Sequence, residues 1–183
     1  AYHNGMPAMI VGTHVDDDIF ATNEWADEHL LPKIKQRFGY KPFAEGAFVH
    51  CGRRVVQHND FTVELSQRDY ALSLTRIDVS LDRRRQPWMM ASPDEISALR
   101  AGNGKLAWLA RHSRIDLMFD VALGQQRIAK ATVDDVLRFN RVVTKAKRDA
   151  HLKLLFPSVP FDKLAVIAWS DASFANVDTE GRE

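Results

Sequence analysis

Short β-branched apolar runs broken by polar turns fill the front of this chain, and capped helical segments fill its second half. Met9-Ile10-Val11-Gly12-Thr13-His14-Val15 is strand-like, Asp16-Asp17-Asp18 interrupts it, and Ile19-Phe20-Ala21 resumes the apolar character. The pattern predicts a hairpin with an acidic turn, because aspartate tolerates the backbone angles of a tight reversal. A helix follows from Thr22 or Asn23, with Leu31, Ile34 and Phe38 on one face and Gly39 beyond it. Pro32 should kink that helix or mark its true start. Phe48 to Gln57 and Phe61 to Leu65 predict a second hairpin around His58-Asn59-Asp60. In its second arm Phe61, Val63 and Leu65 alternate with Thr62 and Glu64, as in a half-buried strand.

Ser66-Gln67-Arg68-Asp69 has the form of a capping box and predicts a helix through Tyr70 and Leu74. Residues 76 to 91, with Arg83-Arg84-Arg85 and Pro87, read as a connecting loop and a candidate boundary. Ser92-Pro93-Asp94-Glu95, Ser113-Arg114-Ile115-Asp116 and Thr132-Val133-Asp134-Asp135 repeat the cap-x-x-acid pattern, so helices are expected to begin near 93, 114 and 133. Leu164-Ala165-Val166-Ile167-Ala168-Trp169 predicts a short buried strand ending at Ser170-Asp171-Ala172-Ser173. The fold class expected from this order is α+β.

Composition narrows the partners. Hydrophobic residues make up 45% and charged residues 27% of the 183 positions, an ordinary globular balance. Formal net charge is only +1, so attraction to nucleic acid must come from local clusters of basic residues. The single cysteine, Cys51, excludes an intrachain disulfide and a cysteine-rich zinc site. It fits a reducing intracellular compartment, cytoplasmic or nuclear. No apolar run approaches a membrane span, so no membrane partner is expected. The opening at Ala1 and the polar close at Asp178 to Glu183 read as cuts through a longer protein.

Taken in sequence order, His14 to Asp17, Phe48 to Gly52, Leu65 to Tyr70, Gly104 to Asp116 and Trp169 to Ala175 resemble segments of the copia-type retrotransposon Pol polyprotein. His14-Val15-Asp16-Asp17 stands where that family has Tyr-Val-Asp-Asp, and Phe48-Val49-His50-Cys51-Gly52 where it has a Phe-Leu-Gly strand at the primer grip. Leu65-Ser66-Gln67 with Tyr70 is similar to its Leu-Ser-Gln-x-x-Tyr. Gly104 to Ala110, then Ser113-Arg114-Ile115-Asp116, resembles its Gly-x-Leu-x-Tyr-Leu followed by Thr-Arg-Pro-Asp-Ile. Trp169 to Ala175 is similar to its Tyr-x-Asp-Ala-Asp-Trp-Ala. The sequence departs from the family at His14, Ile115 and Ser173.

The resemblance implies reverse-transcriptase palm hairpins over 1–78, a helical thumb and connection over 79–160, and the first strand of a ribonuclease H-like sheet over 161–183. The implied activity is RNA-directed DNA polymerisation with adjoining ribonuclease H. Its partners would be an RNA template, an RNA–DNA hybrid and the remainder of the Pol polyprotein. Nucleotide addition uses two divalent ions about 4 Å apart, and hard oxygen ligands suit Mg2+ or Mn2+. Asp16 and Asp17 are the implied metal-binding catalytic acids of the polymerase, and Asp171 that of ribonuclease H. Asp18 lies beyond the motif and reads as a solvated turn residue. The family's third polymerase aspartate and its fingers would precede residue 1, so this piece is expected to be inactive alone. The departures support a rival reading, a decayed or domesticated remnant kept as a non-catalytic nucleic-acid-binding or structural subunit.

Basic residues offer a grip. Arg138, Arg141, Lys145 and Arg148 recur at a three-four-three spacing and share one helical face, while Val133, Val136, Leu137 and Val143 fall elsewhere. Such a stripe would track a phosphate backbone, or coat an ordinary solvated face. Arg53 and Arg54 beside the primer-grip match, and Arg83-Arg84-Arg85 in the loop, are weaker candidates. His50 and Cys51, as neighbours in one strand, should point to opposite faces and not share a metal. Cys51, Trp108, Phe119, Phe139 and Trp169 read as core residues.

Overall fold

The first acidic turn is a hairpin whose arms pair along their whole length. In the computed structural model, which describes residues 1–40, 42–165 and 167–168, strands β3 (Met9–His14) and β4 (Asp17–Thr22) run antiparallel from Met9↔Thr22 to His14↔Asp17. The reversal is Val15-Asp16 rather than the three aspartates, so Asp17 and Asp18 belong to β4. A small ribbon precedes it, β1 (Tyr2–His3) and β2 (Met6–Pro7), turned at Asn4-Gly5.

Asn23 then accepts from the Ala26 amide at 3.0 Å and opens α1 (Glu24–His29). Pro32 does mark a new start: α2 (Leu31–Phe38) carries it in the first turn and ends on Gly39 in the left-handed region. Phe38 does not join Leu31 and Ile34 on a covered face. It is exposed, with its ring 6.0 Å from that of Tyr40.

The second predicted hairpin is a four-stranded antiparallel sheet in the order β5 (Ala47–His50), β6 (Arg53–Gln57), β7 (Val63–Ser66) and β8 (Leu154–Phe156). Its expected first arm, Phe48 to Gln57, is itself a hairpin reversing at Cys51-Gly52, where both residues have positive φ, 49° and 69°. That is the two-residue turn whose twist suits paired strands. Phe61 lies outside the strand at φ 64° and is exposed, and from Val63 to Ser66 every residue is half-buried, so the expected alternation of burial is not found. The sheet is completed from the far end of the chain by β8, which the sequence pattern did not announce.

The expected capping box at Ser66 is absent. Ser66 pairs with Arg54 in the sheet, and α3 (Arg68–Ser73) starts after Gln67 without a side-chain cap. The loop after it holds a short helix, α4 (Leu81–Arg84), whose Arg83 donates two bonds to Glu95, at 3.0 and 2.7 Å. Asn140 clamps this loop to the helices by exchanging two 2.8 Å bonds with the backbone of Ile77.

Three helices carry the core: α5 (Pro93–His112), α6 (Met118–Arg127) and α7 (Val133–Arg148). Two expected starts hold. Ser92 and Glu95 form a reciprocal capping box, and the Asp135 carboxylate accepts from both the backbone and the hydroxyl of Thr132. The middle segment turns helical at Ile115, close to its expected start, but without the expected cap: Ser113 ends α5, and a short 3-10 turn (Ile115–Leu117) leads into α6. Leu99, Leu106, Val121, Val133, Val136, Phe139 and Val143 interlock as one apolar cluster extending from Ala71 to Ala150. Burying such side chains is worth roughly 1.5–3 kcal/mol each. Gly102 lets α5 approach α7, since a Cβ there would lie 2.3 Å from the Phe139 ring. Phe139 is core as expected, but Phe119 is 74% exposed and Trp108 only partly covered.

Among the described residues no helix is long and apolar enough to cross a membrane. Leu164, Ala165, Ile167 and Ala168 are not in a strand. Trp169, Asp171 and Ser173, and with them most of the expected ribonuclease H strand, lie outside the described residues.

Candidate functional site

Strand alternation decides what each of the three aspartates meets. Asp16 stands at the exposed tip beside Val15, which has φ 56° although it is β-branched. A β-branched residue in that region is strained by roughly 1–3 kcal/mol. Asp17, the first residue of β4, is exposed, and Asp18 turns inward beneath it. Asp18 is therefore not a solvated turn residue. Tyr40 donates its hydroxyl to Asp18 Oδ2, and Oδ1 is shut off from solvent. Thr13, directly across the strand pair, and the Tyr40 hydroxyl hold the Asp18 carboxyl below its ordinary value, against burial, and His50 adds a smaller pull. The phenol of Tyr40 is pushed up by the same bond.

The turn between β5 and β6 reaches this acidic hairpin. Asp17, His50 and Cys51 each offer one ligand atom, and those three atoms lie within 4.8 Å of one another. Cys51 Sγ is 3.4 Å from His50 Nε2. This corrects the expectation that neighbouring residues could not share an ion. The alternation rule applies within a strand, but Cys51 sits in the turn, where its left-handed backbone swings the thiol back toward His50. The sequence did hold the signal: a residue followed by Gly52 between two strand-like runs is a hairpin turn.

A two-magnesium centre needs several carboxylates converging on hard-oxygen positions. Among the described residues the only group of three or more metal-ligating side chains is the mixed Asp17, His50 and Cys51 set, and Asp16 is not in it. The described residues therefore do not fit such a centre.

The basic candidates divide into two kinds. Arg53 is half-buried, its Nε donating to the His50 carbonyl at 3.4 Å, and Arg54 is exposed in β6. Neither faces a carboxylate among the described residues. The α7 stripe does share one face, but each member meets an acid: Arg138 faces Asp120 at 3.5 Å, Arg141 faces Asp134 at 3.7 Å, and Arg148 faces Asp149 at 2.7 Å. Lys145 lies 3.9 Å from Asp116 and 3.8 Å from Asp120. In the loop, Arg83 is taken by Glu95, whose carboxyl it holds below the ordinary value.

Two of the resembling motifs prove to be joints. Arg114, only 2% exposed, forms a two-bond pair with Asp116 at 2.8 and 2.9 Å. Its remaining nitrogen donates to the carbonyls of Ala146 and Asp149, capping the end of α7. The Arg114 guanidinium holds the Asp116 carboxyl below its ordinary range. Ser113, buried beside it, donates to Gln67 Oε1 at 2.9 Å, and the Tyr70 hydroxyl donates to the Lys105 carbonyl at 3.4 Å. The Leu-Ser-Gln and Ser-Arg-Ile-Asp segments thus meet in space across 46 residues. No family model matches the sequence, no curated protein matches it, and no solved structure matches its fold.

Proposed function

We propose that the chain is a piece of a retrotransposon RNA-directed DNA polymerase that contacts nucleic acid but does not extend a primer by itself. The observation that carries the reading is the antiparallel hairpin with Asp16 and Asp17 exposed at its turn, beside a second hairpin tip flanked by Arg53 and Arg54. In this reading the two hairpins are the acidic turn and primer grip of a palm, the helices from α4 to α7 are the thumb and connection, and Mg2+ or Mn2+ is the ion of the assembled enzyme. Its partners are an RNA template, an RNA–DNA hybrid and the rest of the polyprotein. The expected inactivity alone is supported by the grouping of the ligating side chains: among the described residues Asp16 belongs to no set of three or more.

Purified chain given a primed RNA template and Mg2+ should show no extension and should leave the RNA of a hybrid uncut. It should bind the hybrid with an affinity that falls steeply with salt and ignores sequence. Arg53→Glu with Arg54→Glu should weaken that binding and lower the salt slope by about one unit for each phosphate that is no longer neutralised. Extension that disappears with Asp16→Ala would overturn the inactivity.

A second reading, a non-catalytic structural subunit descended from such an element, is favoured by the α7 face. Each of its four cations already faces an aspartate, so holding a phosphate means sharing or surrendering that partner. Exposed pairs such as Arg141 with Asp134 cost little to open, about 0–1 kcal/mol. Changing Arg141 and Arg148 to Gln therefore separates the readings with little risk to the fold. A drop in hybrid affinity supports the polymerase thumb, and an unchanged affinity in both this pair and the Arg53, Arg54 pair supports the structural subunit.

A further inference from the structure

The geometry points to a binding site for a borderline transition-metal ion of the zinc class at the junction of the two hairpin tips, held by the Asp17 carboxylate, the His50 imidazole and the Cys51 thiolate. It goes beyond the polymerase reading and does not rest on it, because a hard ion on Asp16 and Asp17 and a thiolate-bound ion give different spectra and different ligand dependence.

Three observations carry it. The donor set is oxygen, nitrogen and sulfur, and thiolate with imidazole selects zinc-like ions where carboxylates alone would suit magnesium. The spacing fits as well. Tetrahedral bonds of about 2.0–2.3 Å place neighbouring ligand atoms roughly 3.3–3.8 Å apart. The Cys51 Sγ to His50 Nε2 separation of 3.4 Å already meets that. The outer limit of 4.8 Å for the whole set leaves side-chain rotation of the exposed Asp17 to close the remainder. Finally, the thiol is delivered by a non-glycine residue in the left-handed region. There a glycine or asparagine would sit with less strain, so the turn keeps Cys51 at a conformational cost.

Three protein ligands leave one tetrahedral position open toward solvent, because Asp17 is exposed and His50 and Cys51 are only half-covered. Binding deprotonates Cys51 and releases its proton to water, so the ion is held by one carboxylate, one neutral imidazole and one thiolate. Supports for the ligands are in place. Arg53 Nε reaches the His50 carbonyl, and the His14↔Asp17 and His50↔Arg53 pairs fix both turns at their bases.

The test uses the full chain, reduced and stripped with a chelator, then titrated with Co2+ alone. A thiolate-to-cobalt charge-transfer band together with tetrahedral visible absorption is expected, with Zn2+ displacing the colour and excess Mg2+ leaving it. Cys51→Asn, which suits the left-handed turn and so preserves the fold, should abolish the charge-transfer band. His50→Gln and Asp17→Asn should each weaken Co2+ binding at least about tenfold, the least that losing even a supporting partner of a ligand costs. Asp16→Asn should leave the spectrum and affinity unchanged. Circular dichroism and the far-ultraviolet melting curve of each variant establish that it is folded. The proposal is overturned if Cys51→Asn keeps the band, if Mg2+ displaces Co2+, or if Asp16→Asn weakens binding as much as Asp17→Asn.

Discussion

In the helical region, charge is fastened down. Arg83 is held by Glu95, Arg114 by Asp116 and the end of α7, Arg127 by Asp135, and the α7 cations by neighbouring acids. The two hairpin tips differ, although Glu64 in β7 is itself paired with Lys153 and His58. Asp16, Asp17 and Arg54 face solvent, and Val15, Cys51 and Phe61 sit in backbone conformations that L side chains rarely adopt. Burial follows the same division: the core cluster draws from Ala71 to Ala150, while Ile10, Val11, Val15 and Val49 in the hairpins are exposed. The helices have the packing that holds a fold, whereas the hairpins keep reactive groups uncommitted on a lightly supported frame. Backbone strain gathered in one region is what a working site can use and a scaffold avoids.

The contrast predicts that breaking a joint in the helices costs far more than any change at the hairpin tips. Asp116→Ala strips a guanidinium that is 2% exposed, and should lower stability by about 3 kcal/mol. The two carbonyls that Arg114 still reaches keep the loss at the low end. Denaturant unfolding measures it. Co2+ binding at the hairpins in native buffer should not change, and if it falls in parallel, the two regions are one cooperative unit.

Next in size is a pair of glycines on α5 with opposite outcomes. Gly102→Ala drives a methyl into the buried Phe139 ring and should cost about 1–3 kcal/mol through overpacking, less the gain in helix propensity. Gly104→Ala meets nothing within 4 Å and should stabilise by about 0.5–1 kcal/mol. Equal effects at both positions would mean that α5 and α7 do not cross at Gly102.

Acid should loosen both regions in one direction. The carboxyls of Glu95, Asp116 and Asp18 are all held below their ordinary values of 4.5, 3.8 and 3.8. Between the ordinary and the native values the unfolded chain binds more protons, so stability falls as pH drops through that window. Above about pH 5 it should be flat as far as these groups are concerned. Carboxyl chemical shifts followed by NMR check each site, and an Asp18 that titrates as a free carboxyl would mean that Thr13 and Tyr40 do not hold it.

How far the sequence disclosed this depended on whether a signal was local. The starts at Ser92, Asn23 and Thr132 were readable because a cap, a proline or an acid three residues on acts within one turn. The first hairpin was readable from its apolar runs. Long-range partners were not. Nothing near Val63 announces Leu154–Phe156 as its neighbour, and nothing at Ser113 announces Gln67. The candidate site failed for a third reason: one misplaced turn, at Cys51-Gly52, inverted the direction of a side chain and hid the only mixed donor set among the described residues.

The smallest expected effect compares the two tips with each other. Val15 is the first of two residues joining β3 to β4 and alone has positive φ, a pattern that wants glycine there. Val15→Gly should relieve the strain of a β-branched side chain but give back some unfolded-state entropy, for a net gain under about 1 kcal/mol. Because Val15 is 87% exposed, the change removes no buried packing. The gain should appear as slower hydrogen exchange of the amides from Gly12 to Ile19, with the global melting curve hardly moved. Cys51→Gly relieves the same kind of strain at the other tip and should slow exchange around it in the same way. Only there should Co2+ binding vanish. If Val15→Gly also abolished the ion, the strain itself would be positioning Asp17, and the two tips would be coupled parts of one site rather than a bare turn facing a ligand-bearing one.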